Sequence, residues 1–228
     1  MAAIGFDVYG TLVDPLEMQR PLRALVGEQA GPFAALWREK QLEYTFRRGL
    51  MRRYVSFDLC TAQALRHVIR ALAVEISEAD QTRLLAHYQE LQAFPDAIPA
   101  IESLKAAGHT VVAFSNGVEA TVRILLAYAG ILPHLDDVIS VDDLQTFKPD
   151  PAVYAYLARR VDRPMAETWL VSGNPFDVIG AKAAGLRAAW VRRNPDAVFD
   201  PWGIEPDVLL SDLHGFAAHM ATQDSHSA

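Results

Sequence analysis

One cysteine, Cys60, stands alone in 228 residues. That excludes an internal disulfide and any zinc site built on paired cysteines. With no basic neighbour in sequence to activate it, Cys60 is expected to be a small buried apolar residue. Basic residues are also in deficit: 21 Lys and Arg against 28 Asp and Glu leave a formal charge of −7. This is the wrong balance for tracking a phosphate backbone, so no nucleic-acid partner is expected. No apolar run is long enough to cross a bilayer, and MAAIGFDVYG lacks a basic n-region. The expectation is a cytoplasmic protein without membrane contact. The histidines, among them His67, His87, His109 and His134, are scattered without ligand spacing. No internal repeat or low-complexity tract appears.

What is present is apolar patterning. Half the chain, 51%, is hydrophobic, enough to bury a substantial core. Residues 3–8 (AIGFDV) form an apolar run that ends on a carboxylate before a Gly turn, which predicts a strand. From about Pro15 to Phe94 apolar residues recur at helical spacing through FAALWREKQLEYTF, LCTAQALRHVIRALA and ADQTRLLAHYQELQ. After Pro95, TVVAFSN, DVISVD, TWLVSG and AAWVRR alternate with VEATVRILLAYAG, PAVYAYLARRV and FDVIGAKAAG. Continuous apolar strands alternating with helices predict a doubly wound, Rossmann-like parallel sheet. The expected organisation is an α/β core of residues 1–14 and 95–220, a helical cap over 15–94, and a flexible tail at 221–228.

Ligands of such sheets sit beyond the carboxyl ends of the strands. Asp7 and Thr11, Ser115 and Asn116, and Ser172, Asn174 and Asp177 all fall at strand ends, and the loop carrying Lys148 can join them. A strand-terminal carboxylate is ionised at neutral pH and can attack an electrophile. The plainer reading of an isolated Asp at this place is a turn cap.

With FDVYGTLVD, FSNG, FKPDPAVY and SGNPFDVIGAKAAG in this order, the chain resembles the haloacid dehalogenase (HAD) superfamily from residue 3 to about 192. The resemblance implies a HAD-like fold and Asp7 as nucleophile. Most members are phosphatases with D-x-D-x-T and G-D-x-x-x-D motifs that hold magnesium. Here Tyr9 and Gly173 stand at two of those acidic positions, so Asp7 and Asp177 alone make a poor site for a hard cation. The same two substitutions resemble the L-2-haloacid dehalogenase branch, and LWREKQLEYTFRR with RRYVSF resembles its cap. Arg38 then falls on the arginine that receives departing halide.

The implied reaction is metal-independent, cofactor-free hydrolysis of short L-2-haloalkanoic acids, with inversion, through an Asp7 ester. Ser115, Lys148 and backbone N–H groups after Asp7 are expected to anchor the substrate carboxylate. Arg38, Asn116 and Phe176 are expected to hold the halide. Lys148, Asn174 and Asp177, supported by Ser172 and Tyr154, are expected to serve ester hydrolysis. Tyr9, Gln41, Leu42, Tyr44, Phe57 and Phe176 are candidates to line the pocket. Plainer readings exist: Lys148 as a solvated loop residue, Arg38 as one half of a helical surface pair, and Arg47, Arg48, Arg52 and Arg53 as a solvated face. One departure from the branch is Asn174-Pro175-Phe176, because Pro175 removes an N–H donor. A HAD phosphatase and a non-catalytic binder of small carboxylates remain rival readings. A homodimer is expected from the resemblance and the apolar cap helices.

Overall fold

The computed structural model describes residues 1–226. The first strand, β1 (Ala3–Phe6), is buried along its whole length. The chain then leaves the sheet for four helices, α1 (Gln19–Val26), α2 (Ala30–Met51), α3 (Phe57–Ala71) and α4 (Glu78–His87). It returns through α5 (Ala97–Ala106) to β2 (Thr110–Ser115), α6 (Glu119–Tyr128), β3 (Asp137–Ser140) and α7 (Pro151–Arg160). The second half of the sheet follows as β4 (Thr168–Ser172), α8 (Pro175–Ala184), β5 (Arg187–Val191), β6 (Val208–Leu210) and α9 (Leu213–His226).

All strands are parallel in the order β3-β2-β1-β4-β5-β6. Helices on both faces explain why β1, β2 and β4 read as unbroken apolar runs. Phe6 and Trp169, for example, pack edge-on against Phe216 of α9. The strand order reverses at β1, which pairs with β2 on one side and β4 on the other. Such a switch point leaves a crevice at the carboxyl ends, and Asp7 is the first residue beyond β1.

The inserted helices bury side chains in a cluster continuous with Tyr9 and Leu12 of the nucleophile turn. Phe33, Trp37, Phe57, Leu65 and Tyr88 are buried, and the Trp37 indole N–H donates to the Thr61 carbonyl at 2.9 Å, joining α2 to α3. Ser56 and Ser77 cap α3 and α4. Cys60 is buried there, and burial pushes its thiol pKa up, as expected for a packing residue. Two necks connect the insertion to the sheet, and they meet in the Val13–Ala93 bridge. Thr121 donates to Asp58 at 2.8 Å, and Tyr54 donates to Asp142, which holds the tip of α3 against the core.

Three elements were not anticipated, the helix α5, the edge strand β6 and the helix α9. The last of them runs through residues 213–226, into the stretch expected to fray from 221. The last two residues of that stretch lie outside the described residues. Among the described residues no helix is long and apolar enough to cross a membrane.

Candidate active site

Asp7 lies at the end of β1 with its N–H donating to the Val171 carbonyl at 3.0 Å, so its backbone belongs to the sheet while its side chain enters the crevice. The two carboxylate oxygens are treated unequally. Oδ2 accepts from Asn174 Nδ2 at 2.7 Å, Thr11 Oγ1 at 3.0 Å and Ser172 Oγ at 3.4 Å. Oδ1 accepts from Lys148 Nζ at 2.9 Å. Three neutral donors converge on one oxygen, and the other faces a cation.

Each donor is itself fixed. The Gly173 N–H donates to Thr11 Oγ1 at 2.8 Å, and the Asn174 N–H to Ser172 Oγ at 3.1 Å. Asn174 Nδ2 also reaches the Tyr9 carbonyl at 2.9 Å. The turn after β1 needs Gly10, whose φ of +87° is left-handed. It also needs Gly173: a Cβ there would lie 2.1 Å from the Gly10 carbonyl oxygen. The strand end carrying Ser172 and Asn174 thus approaches the nucleophile loop backbone to backbone.

Lys148 is almost wholly buried, so the solvated-loop reading fails. Its ammonium bridges Asp7 Oδ1 and Asp177 Oδ2, the latter at 2.8 Å, and donates to the Phe114 carbonyl at 2.9 Å. Its N–H is held by Asn116 Oδ1 at 2.9 Å. Burial pulls Lys148 toward neutrality, but the Asp177 and Asp7 carboxylates outweigh it and raise its pKa above the ordinary lysine value. Burial, partly offset by Lys148 and reinforced by Asp7, pushes Asp177 above the usual carboxylate range. Tyr154 donates to Asp177 Oδ1 at 2.8 Å, and burial, aided by Asp177, holds it neutral.

From the helical insertion, Arg38 reaches over the nucleophile turn. Its Nη2 donates to the Tyr9 carbonyl at 3.2 Å and Nη1 to Gln41 Oε1 at 2.7 Å. The surface pairing on α2 belongs instead to Lys40 and Arg47, both on Glu43. Tyr9 stacks at 5.4 Å on Phe57 and 5.8 Å on Tyr88, and burial keeps its hydroxyl neutral.

Several expected residues lie one layer behind the crevice. Gln41 is fully buried, accepting from Arg38 and from Tyr88 at 3.2 Å and donating to Thr61 at 2.6 Å; it positions Arg38 and does not line a pocket. Tyr154 is likewise fully buried on the far side of Asp177. The Ser115 hydroxyl accepts the Gly117 N–H at 3.0 Å and shapes its own turn. Of the N–H groups after Asp7 expected as anion donors, those of Gly10 to Val13 are spent inside the nucleophile turn. Arg38, Asn116 and Phe176 direct their contacts to three places, the last to Phe46 at 5.0 Å. Beside Lys148 and Phe176 a cavity of about 640 Å³ opens between α2, α8 and the Trp202 loop. Sequence reasoning passed over Tyr88 and Thr61, which look like ordinary core residues until Gln41 is seen to need them.

Residues 1–185 match the family model described as haloacid dehalogenase-like hydrolase. The chain belongs to the haloacid dehalogenase-like hydrolases. It is 37% identical over 188 residues to (S)-2-haloacid dehalogenase 1 of Pseudomonas sp. (strain CBS-3), covering 82% of this chain and 83% of that one. To the (S)-2-haloacid dehalogenase of Pseudomonas putida it is 34% identical, covering 92% of each. L-2-haloacid dehalogenase from Xanthobacter autotrophicus superposes with a TM-score of 0.89 at 30% identity, over 97% of this chain and 98% of that one. A second structure of that enzyme carries chloropropionic acid covalently bound.

Membership in this family raises the question of magnesium, and the residues present do not fit it. Asp7 and Asp177 are already joined through the Lys148 ammonium. The carboxylate that phosphatases carry at position 173 has no room for even its Cβ. Tyr9 adds a neutral phenol where a hard cation needs charged oxygen.

Proposed function

We propose that this hydrolase acts on carbon–halide bonds, converting short L-2-haloalkanoic acids to 2-hydroxyalkanoic acids, with Asp7 as nucleophile and without metal. The observation that carries this reading is the Lys148 ammonium lying between Asp7 and Asp177. It supplies fixed positive charge between two carboxylates, at a site whose Tyr9 and Gly173 leave a divalent ion short of oxygen ligands.

Asp7 Oδ1 has the fewer donors and attacks C2 from behind the carbon–halogen bond. The C–O bond forms as halide leaves with the bonding pair, inverting C2. Arg38 receives the halide, with Asn116 and Phe176 completing its surroundings. Oδ2, held by Thr11, Ser172 and Asn174, becomes the ester carbonyl oxygen. Water then adds to Asp7 Cγ, the same three donors stabilise the oxyanion, and collapse releases the hydroxyacid. Asp177 is the carboxylate left beside Lys148 once Asp7 is esterified, and it takes the proton from water. Overall, haloacid and water give hydroxyacid, halide and a proton. The helical insertion of residues 15–94 acts as a cap whose closure excludes water. A cytoplasmic homodimer is part of the same reading, and light scattering tests the dimer.

Halide and hydroxyacid release from each enantiomer of 2-chloropropionate, in EDTA, tests the function. Turnover of the L enantiomer alone, with inverted product, is expected. Silence from both enantiomers, or phosphate-ester hydrolysis that collapses on chelation, overturns it. In heavy-oxygen water one turnover places label in the Asp7 carboxylate, and an unlabelled Asp7 peptide excludes the ester.

A further inference from the structure

Arg193, two residues beyond β5, has a side chain only 16% exposed. Its guanidinium is divided among three residues on two segments. Nη1 donates to Asp96 Oδ2 at 2.6 Å, Nη2 donates to the Thr11 carbonyl at 2.6 Å, and Cζ lies 4.0 Å from the centre of the Phe94 ring. Thr11 is on the outgoing neck of the helical insertion, and Phe94 and Asp96 are on the returning neck. Phe94 N–H donates to the Leu12 carbonyl at 2.9 Å, so the two necks are already side by side. Asp96 Oδ2 also accepts the Leu213 N–H at 2.7 Å, anchoring the assembly to α9.

The pair is not arranged for its own strength. An Arg–carboxylate pair gains most from two parallel bonds, whereas here the second Nη is diverted to a backbone carbonyl. Arg193 Nε and Asp96 Oδ1 are left buried without hydrogen-bond partners. A buried donor and a buried acceptor left unpaired within one ion pair call for a reason beyond packing. That reason lies in Thr11, whose carbonyl is gripped by Arg193 while its hydroxyl donates to Asp7 Oδ2.

We propose that Arg193 is a positioning residue that clamps both necks of the helical insertion and, through Thr11, sets the orientation of the Asp7 carboxylate. The proposal rests on Asp7 being the nucleophile. Misplacing a reacting group by a fraction of an ångström acts on the chemical step, so loss of the clamp lowers kcat by about 10- to 100-fold and leaves KM within about threefold.

The test uses the full-length protein and begins with wild-type halide release; its failure would sink the dehalogenase reading and leave the clamp open to amide exchange. Arg193→Met and Arg193→Lys are compared with Lys182→Met, which removes the Lys182–Asp207 pair between α8 and the segment before β6. In Arg193→Met, amide exchange of residues 10–13 and 94 is expected to accelerate together with the fall in kcat. Arg193→Lys keeps one bond and recovers part of both. Lys182→Met shows neither change at an equal loss of Tm. Unaltered neck exchange in Arg193→Met, or accelerated exchange with kcat unchanged, overturns the proposal. An equal kcat loss in Lys182→Met also overturns it, since that marks general destabilisation.

Discussion

The sheet side and the helical side of the crevice are built on different principles. Around Asp7 the strand ends deliver polar groups already bonded to one another: Thr11, Ser172 and Asn174 on one oxygen, and on the other Lys148, itself held by Asp177. The helical insertion delivers aromatic surface, Phe57 and Tyr88 against Tyr9, and one cation, Arg38, steadied by Gln41. A pre-bonded polar shell costs nothing to reorganise during reaction, whereas the helical side meets the sheet side through aromatic contacts and a few hydrogen bonds such as Arg38 to the Tyr9 carbonyl. On the proposed reading, chemistry belongs to a rigid sheet side and admission of substrate to a mobile helical side.

The largest expected effect follows from removing the centre of the rigid side. Asp7→Asn keeps the size of the side chain and removes the charge that attacks; turnover is expected to fall by more than about 10⁴-fold with the fold intact by circular dichroism. Lys148→Met breaks the same shell differently. It strands two carboxylates in one buried space, so a stability loss of about 3–5 kcal/mol in denaturant unfolding accompanies the loss of turnover. Equal activity in Lys148→Met and wild type would remove the basis for metal-free chemistry.

Arg38→Met tests the mobile side. Loss of a single charge-stabilising donor costs about 10²–10³ in kcat, and stability is expected to change little because Gln41 Oε1 keeps the Tyr88 hydroxyl as a donor when Arg38 is removed. A large fall in Tm would mean that the helical side is as rigid as the sheet side.

The pH profile sharpens the contrast further. Burial pushes Asp177 above the usual carboxylate range, so protonation on lowering the pH removes the proton acceptor earlier than an exposed Asp would. An acid limb in kcat above the ordinary carboxylate pKa is expected, belonging to the Asp7–Lys148–Asp177 group as a whole. Asp177→Asn abolishes the limb, and its persistence in that variant excludes Asp177 as the acceptor.

How far the chain disclosed this division depends on the kind of signal. Strands buried on both faces announce themselves as apolar runs, and the residues at their ends, Asp7, Ser172, Asn174 and Asp177, fell together as expected. The edge strand β6 has three residues between Asp207 and Ser211 and is half-exposed, too short and too wet to carry a pattern. Gln41 was placed in the right region with the wrong neighbours, because residue type tells that a polar group needs a partner and not which way it faces, whereas Tyr154 donates to Asp177 as its supporting role requires. Arg193 in VRRNPD looks like any solvated basic pair; only three-dimensional proximity of Thr11, Phe94 and Asp96 distinguishes it.

The smallest expected effect concerns Pro175, the one departure from the resembled branch within the site motifs. Pro175 is the first residue of α8 with Asn174 as its N-cap. The N–H at that helical position has no intrahelical partner in any helix, and proline's fixed φ suits it. The lost donor is therefore one the rigid side does not spend: Asn174 reaches Asp7 through Nδ2, and its own N–H goes to Ser172. Pro175→Ala is expected to change kcat/KM by less than about threefold and stability by less than about 1 kcal/mol. A gain of tenfold or more on L-2-chloropropionate would show that the N–H at 175 belongs to the anion site, and would move part of substrate binding from the helical side to the start of α8.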